Sequence, residues 1–141
     1  MEYPTHIAEI PVYETYLDAF GHVNHAKYLE LYEQARWDWM ASYQLSLKDI
    51  HRLQVGPVIL NVNLDYRREV LARQTLRIYT RVADYQKKIF TLSQEMRLPN
   101  DEVASTLKIT GGMMDLKARK LVMPPEIWLN AFGLMQKPET L

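Results

Sequence analysis

Hydrophobic residues recur at intervals of three and four over about residues 25–43, which predicts one long amphipathic helix. The buried face of this helix is predicted to carry Tyr28, Leu31, Tyr32, Ala35 and Trp39. Asn24 precedes the pattern, and its side chain can accept a backbone N–H of the first helical turn. We therefore expect Asn24 to be the N-cap and the helix to begin at about residue 25.

On both sides of this helix the hydrophobic period changes to two, which is typical of strands with one buried face. A short first strand is predicted over residues 7–13, where Pro11 requires an open edge or a bulge. The four longer strands are predicted in the segments PVILNVNLDY (57–66), TLRIYTRVADY (75–85), KIFTLSQEMRL (88–98) and EVASTLKITGGMMDL (102–116). Short helices are expected near Leu47–Arg52 and at Glu126–Phe132.

The order of these elements predicts an α+β fold, with the long helix packed on one face of an antiparallel sheet. One helix cannot cover so large a sheet, and an open sheet leaves exposed edges. A second copy of the chain would solve both problems, so we expect at least a homodimer. The 141 residues contain no repeat and no linker, which predicts a single domain over residues 1–141.

Composition excludes several classes of function. The 17 Lys and Arg residues balance the 17 Asp and Glu residues, so the net charge gives no general attraction for nucleic acid or for an anionic membrane. The absence of cysteine excludes disulfides, thiolate nucleophiles and zinc–thiolate sites. No apolar run is long enough to span a bilayer, and the first residues do not resemble a signal peptide. We therefore expect a cytoplasmic protein.

The chemistry is predicted to lie between Asp18 and the start of the long helix. Gly21 allows a sharp bend after this carboxylate, and Asn24 then leads into the helix. The first amides of a helix have no partner within it and carry partial positive charge, so they can hold a carbonyl oxygen as negative charge develops. A nearby carboxylate supplies the second part that acyl transfer requires.

The role of Asp18 stays open at this level. A helix start favours its ionised form and hence direct nucleophilic attack, whereas burial would raise its pKa and favour general-base catalysis. His25, with an unperturbed pKa of about 6.5, could orient the substrate, position water or transfer a proton. Asp18 with His22 and His25 could also bind a metal, but no third histidine follows at ligand spacing, so we predict no metal and no cofactor.

The segment Asp18-Ala-Phe-Gly-His-Val-Asn-His-Ala-Lys-Tyr28, followed by Tyr32-Glu-Gln-Ala-Arg36, resembles the signature of a known family. It is similar to the hotdog-fold acyl-CoA thioesterases of the 4-hydroxybenzoyl-CoA thioesterase type. The Gly111-Gly112 pair and the residues after it fit the last strand of that family less specifically. The resemblance covers most of residues 7–128.

The resemblance implies a hotdog fold, in which a curved antiparallel sheet of about five strands wraps a long helix. It implies dimers whose sheets join edge to edge, often paired into tetramers, with sites at the dimer interface. Asp18 matches the aspartate that faces the thioester. His25 falls where many relatives carry Asn and where the Tol-Pal-associated branch carries His, and we expect it to assist Asp18. The implied oxyanion donors lie around the helix start, at Asn24, Ala26, Lys27 and Tyr28. A Tol-Pal-associated branch has a tyrosine where this chain has Glu14, which argues against that branch.

Several other polar residues have two interpretations. Arg67, Arg68, Lys87 and Lys88 are expected at strand ends, where they could hold the phosphates of coenzyme A or simply face solvent. Glu33 and Arg36 are one helical turn apart and suggest an ion pair near an interface, with Glu33 as the alternative catalytic carboxylate. Trp37 and Trp39 could line an acyl pocket or belong to the core.

The predicted function is hydrolysis of an acyl-CoA thioester to the free acid and coenzyme A. A thioesterase acting on acyl carrier protein is the alternative within enzymes, and a hotdog module that binds acyl groups without catalysis is the alternative outside them. The sequence does not indicate which acyl group is bound, because the pocket is assembled from two subunits.

Overall fold

The computed structural model describes residues 3–132, which form one antiparallel sheet with a long helix on its inner face. The strands are β1 (His6–Pro11), β2 (Val55–Tyr66), β3 (Thr75–Gln86), β4 (Ile89–Arg97), β5 (Val103–Asp115) and β6 (Lys120–Val122). The helices are α1 (Lys27–Ser42), α2 (Leu47–Leu53) and α3 (Glu126–Ala131), with one 3-10 turn at Glu14–Tyr16. The predicted α+β class is confirmed.

The sheet order is β1-β3-β4-β5-β2, and β6 pairs with the C-terminal end of β5. Pro11 lies at the end of β1, which pairs with β3 on one side and is the first strand of the sheet. The open side predicted for Pro11 is therefore present. In β3 and β4 the buried and less buried side chains alternate strictly over most of each strand, as the period of two predicts.

Helix α1 provides the centre of the core. All five residues predicted for its buried face are at most 4% exposed. The helix begins at Lys27, two residues later than predicted, and its N-cap is Ala26 instead of Asn24. The delay has a local cause, because the Asn24 side chain accepts the Ala26 N–H (2.9 Å) and closes a turn before the helix.

The glycine pair in β5 permits close packing at one end of the core. A Cβ atom on Gly111 would lie 2.5 Å from Cζ of Phe90 and 2.7 Å from the carbonyl oxygen of Val58. Only a residue without a side chain leaves room for the Phe90 ring there. That ring packs near Phe132, which in turn stacks on Trp39 with 4.9 Å between ring centroids.

The last strand of the sheet, β2, departs from the predicted pattern. Ile59, Leu60 and Val62 are 45%, 51% and 40% exposed, so neither face of its middle is buried in this chain. The pairing of β2 with β5 also shifts register between Ile59 and Asn61, which breaks the alternation at Leu60. The prediction of one buried face is thus wrong for β2, because α1 packs against β1 and β3 at the other side of the sheet.

Candidate active site

Asp18 lies in a narrow hairpin loop held by backbone hydrogen bonds. The Asp18 N–H donates to the carbonyl oxygen of His22 (2.7 Å), and the Gly21 N–H donates to the carbonyl oxygen of Asp18 (3.1 Å). Gly21 has a φ of +82°, in the left-handed region that favours glycine. The loop is therefore a defined structure, and the sharp bend predicted at Gly21 is confirmed.

The Asp18 carboxylate is oriented by two amides of its own loop. Its Oδ1 accepts hydrogen bonds from the N–H groups of Phe20 (2.9 Å) and His22 (3.3 Å). Its Oδ2 has no hydrogen-bond partner in residues 3–132. The side chain is half-buried, so one oxygen is held by the protein and the other remains available to a bound molecule.

Some of the predicted oxyanion donors form hydrogen bonds within the turn before α1. The Ala26 N–H donates to Oδ1 of Asn24 and the Lys27 N–H donates to the Asn24 carbonyl, both at 2.9 Å. The N–H groups of His25 and Tyr28 have no acceptor among the described residues. The Asn24 N–H also donates internally, to the Tyr16 carbonyl oxygen (2.9 Å). Of the four predicted donors only Tyr28 is therefore left to bind a substrate oxygen, together with the neighbouring His25 amide.

Tyr66, which sequence reasoning missed, joins the end of β2 to this turn. Its hydroxyl donates to the His25 carbonyl oxygen (2.7 Å), and the Tyr28 hydroxyl donates to the carbonyl oxygen of Arg68 (3.3 Å). The two rings pack edge to face with centroids 4.9 Å apart. Burial raises the pKa of both phenols, so both remain hydrogen-bond donors near neutral pH. No local signal reveals a contact between residues 41 positions apart.

The two histidines of the loop have different surroundings. His22 forms an ion pair with Glu69, with 2.7 Å between Nε2 and the carboxylate oxygen. The His25 side chain is exposed, and it forms no hydrogen bond within the described part of the chain. His25 precedes the helix by two residues instead of lying in its first turn. In residues 3–132 no group of three or more His, Cys, Asp or Glu side chains is arranged to hold a metal ion.

The four predicted phosphate-binding residues lie at opposite ends of the sheet. Arg67 and Arg68 follow β2 beside the Asp18 loop, where Arg68 pairs with Glu102 (3.0 Å) and Arg67 is exposed. Lys87 and Lys88 form the turn between β3 and β4, which lies at the opposite end of the sheet from the Asp18 loop. Within one chain only the arginine pair is therefore close to Asp18.

A cavity of about 180 Å³ opens between α1 and the first half of β2. Most of its lining is apolar and aromatic, contributed by Trp37, Trp39, Met40, Ile50, Gly56, Pro57, Ile59, Phe90, Leu92, Leu116 and Phe132. Its two charged residues are Glu33 and Arg36, which lie six and nine residues after the first residue of α1. At 1.5 Å per residue the cavity begins roughly 10 Å along the helix from its start.

Glu33 and Arg36 do not form the predicted ion pair. Instead, Nη1 of Arg36 donates to Oε1 of Gln94 (3.0 Å), a residue of β4 that is 1% exposed. Glu33 is exposed at the cavity and has no cation within ion-pair distance in the described residues. The helix carries this arginine inward because its position falls on the side of α1 that faces the sheet.

The comparisons with known proteins agree with this geometry. Residues 13–132 match the family model of the thioesterase-like superfamily. The chain belongs to this superfamily. It is 34% identical over 113 residues to the long-chain acyl-CoA thioesterase FadM of Escherichia coli K12, covering 79% of this chain and 85% of FadM. This membership confirms the predicted family and the predicted class of activity, thioester hydrolysis.

Solved structures share the fold of this chain. The probable thioesterase YbaW from Escherichia coli is 30% identical, with a TM-score of 0.79 over 93% of this chain and 98% of YbaW. SAV2348 from Staphylococcus aureus, solved in complex with CoA, is 18% identical, with a TM-score of 0.86 over 100% of this chain and 90% of that chain. The hotdog fold that the sequence resemblance implied is confirmed.

The conformation of Gly21 leads to a prediction. Nothing lies within 4 Å of a Cβ atom built on Gly21, so Gly21→Ala adds backbone strain without a steric clash. We expect it to lower the free energy of unfolding in urea by about 1 kcal/mol. Gly21→Asn is the control, because asparagine tolerates the left-handed region better and should cost less. Equal stability of both variants and wild type would contradict the strain at this position.

Proposed function

We propose that this protein is an acyl-CoA thioesterase in which Asp18 acts on the thioester carbonyl. The observation that carries the proposal is the unpartnered Oδ2 of Asp18 in a loop that leads directly to the two unpartnered amides of His25 and Tyr28, all within residues 3–132. The activity of FadM and the CoA complex of SAV2348 support CoA as the carrier of the acyl group.

The reaction follows from this arrangement. The thioester oxygen accepts hydrogen bonds from the His25 and Tyr28 amides, which stabilise the negative charge that develops on it. Oδ2 of Asp18 then attacks the carbonyl carbon, expelling the CoA thiolate and leaving a mixed anhydride that water hydrolyses. In the alternative, Oδ2 takes a proton from a water molecule that attacks the same carbon. The exposed His25 imidazole protonates the departing thiolate in either route.

The working unit of this enzyme is a homodimer joined along β2. This strand is the last of its sheet, is 12 residues long and carries exposed apolar residues. A long apolar edge with unpaired backbone groups is a template for another strand. An antiparallel pair of β2 strands would continue the sheet across the interface, and tetramers would form from such dimers.

Pairing of this kind makes the active site composite. In one chain, Tyr66 holds the turn beside Asp18, and Ile59 lines the cavity. The two residues are seven positions apart on β2, which separates them by roughly 20 Å along the strand. In an antiparallel pair centred on the strand, the Ile59 end of the partner subunit lies beside Tyr66. The Asp18 loop of one protomer then faces the acyl cavity of its partner, and Arg67 stays near the loop to bind CoA phosphate.

The catalytic role of Asp18 is tested by Asp18→Asn in an assay of thiol release across acyl-CoAs of different length. We expect kcat/KM to fall by about 100-fold or more, because the variant removes the attacking or proton-accepting oxygen. Asp38→Asn, which alters an exposed carboxylate of α1 that pairs with His6, is the matched control and should keep its activity. Equal thiol release by wild type and Asp18→Asn on every substrate would leave the non-catalytic module as the better account. If the enzyme cleaves thioesters of acyl carrier protein faster than acyl-CoAs, the carrier of the acyl group is acyl carrier protein and not CoA.

The dimer is tested by placing a charge on the exposed edge. Val62→Lys should convert dimers to monomers in sedimentation velocity and lower kcat/KM by about tenfold or more, because half of each site is lost. Ile7→Lys, on the opposite edge strand β1, is the control, since Ile7 is likewise exposed (50%). A fully active monomer would rule out the composite site.

A further inference from the structure

Positive charge is concentrated at one end of the sheet. The turn between β3 and β4 (86–89) and the segment that leads from β5 to α3 (116–125) contain five basic residues and no acidic one. All five are exposed, and together they form the basic end: Lys87, Lys88, Lys117, Arg119 and Lys120. Because acidic and basic residues balance over the whole chain, the net charge hides this local excess.

Strand pairing brings the two segments together. The pairing of β4 with β5 ends at Gly112, and β6 pairs with the next three positions, 113–115, while β2 occupies the other side of β5 there. The turn between β3 and β4 therefore adjoins β6. A Cβ atom on Gly112 would lie 2.9 Å from the Lys88 carbonyl oxygen and 2.8 Å from Cδ2 of Leu121. Lys120 pairs three positions beyond Gly112, roughly 10 Å further along β5, so the five cations share one surface.

The cations of the basic end have no carboxylate within ion-pair distance in residues 3–132. The neighbouring carboxylate of Asp115 instead accepts the amides of Lys117 (2.9 Å) and Ala118 (3.0 Å). At the opposite end of the sheet four arginines form ion pairs of 3.2 Å or shorter: Arg68, Arg73, Arg77 and Arg97. The positive field of the basic end is therefore available to an anionic partner.

Exposed apolar side chains lie among these cations. Ile89 adjoins Lys88 and is 36% exposed, and Met123 directly follows β6 and is 59% exposed. Ile127, in the first turn of α3, is 36% exposed. A surface with both long basic and apolar side chains matches an anionic bilayer, in which phosphate groups overlie hydrocarbon. Free phosphate would use the cations alone, and a folded acidic protein requires a shaped surface, whereas the basic end consists of two turns with protruding side chains.

We propose that the basic end is a docking surface for an anionic lipid membrane, to which the protein binds peripherally. The lysine and arginine side chains pair with headgroup phosphates, and Ile89, Met123 and Ile127 contact the boundary between headgroups and acyl chains. Leu116 lines the apolar cavity and Lys117 follows it, so docking brings the cavity end of the chain to the lipid surface. Membrane docking is independent of the proposed role of Asp18.

The test is co-sedimentation of the full chain with large unilamellar vesicles in about 0.1 M NaCl, where charges act over about 10 Å. Vesicles of phosphatidylglycerol and phosphatidylcholine in equal parts should bind it about tenfold or more tightly than vesicles of phosphatidylcholine alone. Lys117→Gln/Lys120→Gln should lower the partition coefficient by about tenfold or more, since each cation contributes roughly fivefold. Met123→Ser should lower it by about threefold. Arg81→Gln/Lys108→Gln, which removes the same charge from exposed positions on the outer face of the sheet, is the matched control and should bind as wild type does.

Three outcomes would overturn the lipid assignment. The first is equal binding to both kinds of vesicle, or an equal loss in the Lys117/Lys120 variant and its control. The second is release from the vesicles by inorganic phosphate or CoA at constant ionic strength, or a raised KM for acyl-CoA in the Lys117/Lys120 variant, which would make the basic end a phosphate site. The third is binding of acyl carrier protein through the same lysines without binding of vesicles. Thiol release measured without vesicles should be the same in this variant and in wild type, so membrane docking and thioester hydrolysis can fail separately.

Discussion

The start of α1 is the constraint on which the rest of the site depends. A helix cannot pair its first amides within itself, so these groups must find partners in the preceding turn, in solvent or in a ligand. Here Asn24 satisfies two of them, through its side chain and its carbonyl group. Within residues 3–132 the amides of His25 and Tyr28 have no acceptor, and the turn that carries them is held by Tyr66. The same short segment orients the Asp18 carboxylate, so the carboxylate and the oxyanion donors that we propose share one local structure.

The incomplete cover of the sheet is the reason for our proposal that this site is completed by a second chain. Helix α1 packs over β1 and β3, and the exposed apolar residues of β2 lie at the far side of the sheet. The Asp18 loop contacts one end of β2, and the cavity lies along the other end. In the proposed dimer, a two-fold axis through the middle of this strand would bring the two halves together. Burial of the β2 edge and completion of the active site would then be one event, which would couple assembly to activity.

The parts of the molecule that the sequence predicts are those set by local pattern. The period of α1, the alternation in β3 and β4 and the bend at Gly21 all depend on neighbours within a few residues, and all are found. The Asp18 segment was recognisable because its residues are contiguous. The predicted start of α1 is two residues too early, because Asn24 forms a turn before the helix instead of capping it.

The remaining features depend on contacts between distant residues, which periodicity does not encode. The hydroxyl of Tyr66 reaches His25 across 41 positions, and Arg36 reaches Gln94 across 58. The Glu33–Arg36 ion pair predicted from spacing is absent. Arg36 instead donates to Gln94, a buried residue of the sheet, which the spacing along the helix does not reveal. The exposure of β2 follows from the strand order, which places that strand last in the sheet.

The most direct test of the composite site is a crystal structure of Asp18→Asn with a bound acyl-CoA. We expect the thioester oxygen within hydrogen-bond distance of the His25 and Tyr28 amides, the substituted side chain at position 18 facing the carbonyl carbon, and the acyl chain in the cavity of the partner subunit. A thioester placed against Glu33, or an acyl chain held entirely within the protomer that supplies the loop, would contradict the composite site.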